Sequence, residues 1–180
     1  MKVKRNELSA LRRLLRLKNV LRAGWTRHDI PSDKVESVAD HSYGVALLSL
    51  LLCPAELDKT RVLELALLHD VAEIEVGDIT PHDGISSEEK RQRELSAARD
   101  LLGGLSEGES LLKRFYEVTD AESPEARFVK AIDKLEMALQ SLNYQDEFEL
   151  DLSEFRRTPP ESLVLLGVLE SDLSHEVPGP

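Results

Sequence analysis

The segment LALLHDVAE, residues 65–73, places three ionisable side chains where an apolar helical pattern leads into the core of the protein. His69 and Asp70 directly follow apolar residues, and Glu73 comes about one helical turn after His69. Burial of such groups is costly in free energy unless they are paired or bound to a metal ion. The segment therefore predicts a core helix that carries a functional site.

The spacing of apolar residues continues this helical pattern through most of the chain. Asp58 is a typical N-cap residue and Gly77 a typical stop, so the helix carrying His69 and Asp70 is predicted to run unbroken from about 58 to 76. Gly24 is expected to end the N-terminal helix. Ser86 and Glu89 form a predicted capping box at the start of the charged segment SSEEKRQRELSAARD, which is interpreted as a solvated helix face. Further helices are predicted over about 8–23, 38–53, 86–102, 106–116, 124–144 and 160–173.

The chain is predicted to be all-α. Its sequence contains no convincing alternation with the period of two residues that is typical of a strand, and no internal repeat. A length of 180 residues fits one compact domain better than two. We therefore predict a single-domain helical bundle over residues 1–180.

Composition excludes several classes of function. The formal net charge of −11 argues against a nucleic-acid polymer as partner, because such binding depends on a basic surface. The longest apolar run, Val45–Cys53, is too short to span a membrane, and the N-terminus lacks the features of a signal peptide. Cys53 is the only cysteine, which fits a reducing compartment. The sequence thus predicts a cytoplasmic protein that makes no membrane contact.

Two histidines and two aspartates from three predicted helices form a candidate ligand set. His41 begins one helix, His69 and Asp70 lie midway along the next, and Asp133 lies on a later apolar helix. Neighbouring helix residues point about 100° apart, so His69 and Asp70 are expected to flank one point rather than bond to each other. A set of mixed nitrogen and oxygen ligands does not identify which divalent metal is bound. The structural alternative is a hydrogen-bonded core histidine beside an aspartate that pairs with a lysine.

The order His41, His69-Asp70, Asp133 resembles that of the HD-domain metal-dependent phosphohydrolases, named for the His-Asp doublet. The resemblance is closest to their 5'-deoxynucleotidase branch and covers about residues 8–146, which leaves 147–180 as a C-terminal helical extension. It is carried by the blocks RAGW (22–25), SVADHSYGVA (37–46), LALLHDVAEIEVGDITP (65–81), SSEEKRQRE (86–94) and SPEARFVKAIDKLEMALQSLNYQ (123–145).

This resemblance implies a role for each matching residue. It implies a divalent cation, such as Mn²⁺, Co²⁺ or Zn²⁺, a small nucleotide substrate and a homodimer. The metal ligands would be His41, His69, Asp70 and Asp133. The residues that help to place the attacking water would be Glu73 and Asp78. The substrate would contact Arg22 through its phosphate, Trp25 near the nucleotide, and the loop of Asp78, Ile79, Thr80 and Pro81 through sugar and phosphate.

Several of these residues also have a purely structural interpretation. Glu73 could be solvated, Asp78 could cap a turn after Gly77, Arg22 could lie on the surface, and Trp25 could pack in the core. The expected activity is release of phosphate from deoxyribonucleoside 5'-monophosphates. The alternatives are an HD-fold hydrolase of a nucleotide phosphodiester or triphosphate, and a non-catalytic helical domain that binds a nucleotide or metal.

Overall fold

The computed structural model describes residues 5–156, with side chains from residue 7, and this part of the chain is helical with no strand. The predicted all-α class is confirmed, whereas the helix predicted over 160–173 lies outside the described residues. The α-helices are α1 (Arg5–Leu14), α2 (Ala23–Thr26), α3 (Val38–Leu52), α4 (Lys59–Leu68), α5 (Glu73–Val76), α6 (Ser87–Leu102), α7 (Gly108–Thr119) and α8 (Pro124–Phe148). Short 3₁₀ segments cover Leu15–Asn19, Pro81–Asp83 and Ser153–Arg156.

Polar caps fix the starts of the long helices. The Asp58 carboxylate accepts hydrogen bonds from the backbone N–H groups of Thr60 and Arg61, so α4 begins where predicted. Ser123 caps α8, with proline at the first helical position. The capping box predicted at Ser86 is half formed. Ser86 accepts from the backbone of Glu89, but the Glu89 carboxylate binds Arg93 instead of returning to the cap.

The helix predicted over 58–76 is broken at the His-Asp doublet. α4 ends at Leu68, residues 69–72 form turns, and α5 then begins at Glu73. The prediction that His69 and Asp70 lie midway along one helix is therefore wrong. Gly77 closes the segment as predicted, with a φ of 76° that favours glycine.

The N-terminal helix also ends earlier than predicted, and Gly24 lies inside α2 instead of stopping a helix. The chain before α2 is extended because it pairs with the segment that leads into α3. The backbone N–H of Arg22 donates to the Glu36 carbonyl at 3.1 Å, and the N–H of Val38 donates to the Val20 carbonyl at 2.7 Å. These bonds place Arg22 beside the start of α3.

The core forms around α8, the longest described helix. α3, α4, α7 and α8 share one apolar cluster that includes the buried side chains of Val45, Leu65, Val118 and Ile132. α5, α6 and α7 share a second cluster, so the charged segment at α6 has a buried face as well as a solvated one. Because α3, α4 and α8 pack against one another, polar residues on their facing sides are brought together. None of the described helices has the length and apolar character needed to span a membrane.

Candidate metal centre

Four predicted ligands from α3, the end of α4 and α8 converge on one point. The Nε2 atoms of His41 and His69 lie 3.3 Å apart. The Nε2 atom of His41 lies 3.2 Å from Oδ1 of Asp133 and 3.6 Å from Oδ2 of Asp70. His41 is completely buried, and His69 is nearly so. The structure therefore brings together two imidazole nitrogens and two carboxylates inside the bundle.

His69 and Asp70 approach each other more closely than neighbours on one continuous helix would. The Nε2 atom of His69 lies 3.1 Å from Oδ2 of Asp70. The sequence prediction assumed a continuous helix, in which neighbouring side chains diverge. Because the chain leaves the helical path after Leu68, the Asp70 carboxylate can turn toward the imidazole.

The hydrogen bonds of the two histidines assign their tautomers. The Nδ1 atom of His41 lies 2.6 Å from a carboxylate oxygen of Glu136, and Nδ1 of His69 lies 2.8 Å from the Ala66 carbonyl. A carboxylate and a carbonyl both accept hydrogen bonds, so each Nδ1–H is the donor and each neutral ring keeps its Nε2 lone pair. Two lone pairs facing each other beside two carboxylates repel unless a cation lies between them. The donor set thus fits a divalent metal ion that accepts nitrogen and oxygen ligands.

The electrostatics of the cluster also favour positive charge. Burial would lower the pKa of His41, but the carboxylates of Asp133 and Glu136 outweigh it and raise this pKa to about 10. Burial would raise the pKa of Asp70, yet the neighbouring imidazoles of His69 and His41 hold it well below its usual range. The site therefore stabilises a cation among its ligands, whether a proton or a metal.

Glu73 lies buried at the start of α5, with only 3% of its surface exposed. Its Oε2 atom has no hydrogen-bond partner within the described part of the chain. Burial, together with the negative charges of Asp70 and Asp78, raises the pKa of the Glu73 carboxyl. The solvated interpretation of Glu73 is therefore wrong, and an unpaired carboxylate oxygen remains available beside the cluster.

Arg22 and Asp78 lie beside the cluster, next to Asp70. The Nη1 atom of Arg22 lies 3.5 Å from Oδ1 of Asp78 and 3.9 Å from Oδ2 of Asp70, and the Arg22 side chain is only 13% exposed. Asp78 does act as a cap, but for α2, since its Oδ2 accepts the backbone N–H of Ala23 at 2.7 Å. This bond ties α2 to the loop after α5. A simple surface position for Arg22 is therefore excluded.

A cavity of about 770 Å³ opens beside the cluster, a volume suited to a small organic ligand. It is lined by every predicted site residue except the completely buried His41: Arg22, Trp25, His69, Asp70, Glu73, Asp78, Ile79, Thr80, Pro81 and Asp133. The residues predicted separately from sequence thus share one cavity.

Trp25 has a structural role as well as a place in the cavity wall. It is 1% exposed, and its ring packs 4.1 Å from that of Phe155 and 5.4 Å from that of Tyr144, measured between centroids. Its Nε1–H donates to the Glu36 carboxylate at 2.7 Å. Burial and the charge of Glu136 raise the pKa of Glu36 to about 7. Because the only polar atom of its side chain, Nε1, is already hydrogen-bonded, Trp25 can contact a ligand only through the face or edge of its ring.

Side chains that sequence reasoning missed hold the loop and line the cavity. Lys90 of α6 donates to the Ile79 carbonyl at 2.8 Å, so this residue of the predicted solvated face belongs to the cavity. Arg27 donates to Thr80 and to Asp83. On α8, Lys130 and Glu136 lie three residues on either side of Asp133, a spacing that places helix residues on the same face and could have revealed both. Lys134 also lines the cavity.

Comparisons with known proteins place the chain in a family. The family model described as HD domain matches residues 14–163. The chain belongs to the HD-domain family, which confirms the family predicted from sequence. It is 42% identical over 150 residues to the 5'-deoxynucleotidase hdd1 of Schizosaccharomyces pombe, covering 79% of this chain and 75% of that protein. It is 36% identical over 187 aligned positions to the human 5'-deoxynucleotidase HDDC2, covering 96% and 89% of the two chains.

Solved structures share the fold. A conserved hypothetical protein from Pyrococcus furiosus superposes with a TM-score of 0.76 at 28% identity, covering 92% of this chain and 98% of that one. A protein from Magnetospirillum magnetotacticum, described as a predicted metal-dependent phosphohydrolase, superposes with a TM-score of 0.72, covering 93% and 91%. At 24% identity, it supports the fold alone. The helical bundle of the described residues is thus the architecture of this family.

Proposed function

We propose that this chain is a metal-dependent 5'-deoxynucleotidase, which releases phosphate from deoxyribonucleoside 5'-monophosphates. The observation that carries the proposal is the four-residue cluster beside a cavity that is also lined by Arg22 and by Glu73, whose Oε2 has no partner in the described part of the chain. Relatives at 34–42% identity are named 5'-deoxynucleotidases, which supports the same activity.

His41, His69, Asp70 and Asp133 would hold the metal ion. A divalent cation bound there would polarise a phosphoryl oxygen and lower the pKa of a bound water toward neutrality. Two imidazoles with two carboxylates suit Mn²⁺, Co²⁺ or Zn²⁺ better than an all-oxygen site would. His41 and Asp133 lie on the long helices α3 and α8, and His69 and Asp70 directly follow α4, so little reorganisation is needed when the ion binds.

Glu73 would act as the general base. Its Oε2 is free to accept a hydrogen bond from the attacking water, and its raised pKa makes it a better proton acceptor than an exposed carboxylate. Asp78 would help to position Glu73 and Arg22, because its carboxylate is anchored by the Ala23 N–H. These residues supply the proton acceptor on the cavity side of the cluster.

Arg22 would bind the substrate phosphate. Its contacts with Asp70 and Asp78 are longer than direct hydrogen bonds, so its N–H groups remain available to phosphate oxygens. A guanidinium offers two parallel donors to such a group. The loop of Ile79, Thr80 and Pro81 would contact the sugar and phosphate, and the Trp25 ring would border the nucleoside.

The experiment that tests this proposal measures phosphate release from a panel of nucleotides. The purified protein is stripped with a chelator and reloaded with Mn²⁺, Co²⁺, Zn²⁺ or Mg²⁺. We expect release to return with metal and to be faster for deoxyribonucleoside than for ribonucleoside 5'-monophosphates. Hydrolysis of phosphodiesters or triphosphates in their place would support the other nucleotide hydrolase. Metal binding with no turnover of any substrate would support a non-catalytic binding domain.

We also propose that the chain forms a homodimer. An exposed apolar stripe runs along α3 with helical spacing and includes Tyr43, Leu47 and Leu51, the first and last of which are each 69% exposed. Large exposed apolar patches are typical of protein interfaces. We expect light scattering to give twice the mass of one chain, and Leu51→Asp to give a single-chain mass. Leu8→Asp, at an exposed position of α1, is the control and should leave the dimer intact. If Leu8→Asp dissociated the dimer and Leu51→Asp did not, the interface would not lie on α3.

We further propose a cytoplasmic location. Cys53 is the only cysteine and is a free thiol, so the fold depends on no intrachain disulfide. Such a chain fits a reducing compartment. Fractionation of cells that express the protein, followed by detection with an antibody, would test the assignment; recovery from an oxidising compartment would contradict it.

A further inference from the structure

Glu136 makes the closest polar contact with the fully buried ligand His41. The carboxylate lies on α8, itself buried, and its Oε2 is 2.6 Å from Nδ1 of His41. The imidazole is packed between α3 and α8, and Nε2 on its far side faces His69 and Asp133. One edge of the ring thus meets Glu136 and the opposite edge meets the other ligands.

A second carboxylate, that of Glu36, lies near the same ring but is bonded elsewhere. Single oxygen atoms of Glu36 and Glu136 and one ring nitrogen of His41 all lie within 4.8 Å of one another. However, Glu36 accepts the Nε1–H of Trp25 at 2.7 Å, which holds it toward the aromatic cluster. Glu136 is therefore the carboxylate that receives the His41 Nδ1–H.

Gly44 makes room for this contact. It lies on α3 three residues after His41, and therefore on the same side of the helix. A Cβ atom at this position would lie 2.6 Å from Oε1 and 3.0 Å from Cγ of Glu136. Any side chain at residue 44 would displace the Glu136 carboxylate. The absence of a side chain at Gly44 is thus what allows Glu136 to reach His41.

We propose that Glu136 is a positioning residue that orients His41 for metal binding, and that Gly44 provides the space that Glu136 needs. By accepting the Nδ1–H, Glu136 fixes the tautomer and the plane of the ring, with the Nε2 lone pair directed at the other ligands. The negative charge of Glu136 also makes the imidazole a stronger donor to a cation. This inference rests on the metal centre of the proposed function, but not on the identity of its substrate.

The experiment measures metal affinity in two variants that disturb the contact differently. Glu136→Gln removes the charge, whereas Gly44→Ala leaves every ionisable group in place and pushes the carboxylate aside. Affinity for Mn²⁺ and Co²⁺ is measured by competition with a chromophoric chelator, and the Co²⁺ absorption spectrum reports the ligand geometry. We expect both variants to lose about 10- to 100-fold in affinity and to change the Co²⁺ spectrum.

Matched controls separate this effect from a general loss of structure. Glu147→Gln changes an exposed glutamate on the same helix, and Gly104→Ala changes an exposed glycine whose added Cβ would meet no atom within 4 Å. Both controls should bind metal like the wild type. Alanine has a higher helix propensity than glycine, so Gly44→Ala should not weaken helix α3. A lower unfolding temperature of the metal-free protein is therefore not expected from a loss of helix propensity.

The outcomes distinguish this inference from the proposed function. Wild-type affinity and an unchanged Co²⁺ spectrum in Glu136→Gln would overturn the positioning role, even if the enzyme proved to be a nucleotidase. Wild-type affinity in Gly44→Ala would overturn the role of Gly44. If the wild-type protein itself bound neither Mn²⁺ nor Co²⁺, the metal centre and the positioning role would both fall. Failure of a metal-loaded wild type to hydrolyse deoxynucleotides would contradict the proposed substrate alone.

Discussion

Replacing Asp70 by asparagine is expected to reduce metal-dependent phosphate release by about 1,000-fold or more, since loss of the ion forfeits several kcal/mol of transition-state stabilisation. Oδ2 of Asp70 lies 3.1 Å from Nε2 of His69 and 3.6 Å from Nε2 of His41, so this one carboxylate borders both of the imidazoles proposed as ligands. Asparagine keeps the shape but removes the charge that attracts the cation. The measurement compares initial rates and bound metal in the variant and the wild type.

Thermal unfolding gives a second readout for the Asp70→Asn variant. A ligand that binds the folded state raises its stability, so added Mn²⁺ should raise the unfolding temperature of the wild type. We expect this shift to disappear in Asp70→Asn and to persist in Asp100→Asn, whose side chain is exposed on α6. Full activity and a normal metal-induced shift in Asp70→Asn would contradict the assignment of Asp70 as a ligand.

Replacing Glu73 by glutamine is expected to lower kcat by about 100- to 10,000-fold, the usual contribution of a general base. The change removes the buried carboxylate whose Oε2 has no partner in the described part of the chain. Because Glu73 is not among the four proposed ligands, the variant should still bind metal. Initial rates at saturating substrate, measured beside metal content, test both parts of this prediction.

The neighbouring Glu75 supplies the control for Glu73→Gln. Glu75 lies on the same short helix, α5, but its carboxylate pairs with Arg13 near the surface at 3.0 Å. Glu75→Gln should therefore keep nearly wild-type kcat. If Glu73→Gln retained full turnover, a group other than Glu73 would have to accept the proton of the attacking water. If it lost the metal instead, Glu73 would be a ligand.

The convergence of His41, His69, Asp70 and Asp133 shows how local and non-local information combine in this protein. The residue types at these positions indicate a metal site by themselves, since polar groups on apolar helices need a compensating partner. The distances among them depend on how α3, α4 and α8 cross, and on the break after Leu68. Those features depend on contacts between residues far apart in the chain.

Lys90 and Glu136 are two residues whose contacts local sequence patterns could not predict. A charged helix such as α6 is usually solvated, and most of its charges are, but Lys90 turns inward to hold the Ile79 carbonyl. Similarly, Glu136 differs in sequence pattern little from other glutamates of α8, and its contact with His41 exists because Gly44 leaves space on the facing helix. Helical spacing places Glu136 on the same face as Asp133, but it does not show which side chain of the facing helix Glu136 contacts.

The sequence by itself determined the all-α class, the starts of α3, α4 and α8, the stop at Gly77 and the residue types of the candidate site. These features follow from short-range physics: helical periodicity, side-chain caps and the backbone freedom of glycine. The tertiary structure alone decided the helix break at the His-Asp doublet, the burial of Arg22 and the contact of Glu136 with His41. Each of these depends on side chains that meet only after the helices have packed, where burial and the proximity of charges set the energy of the site.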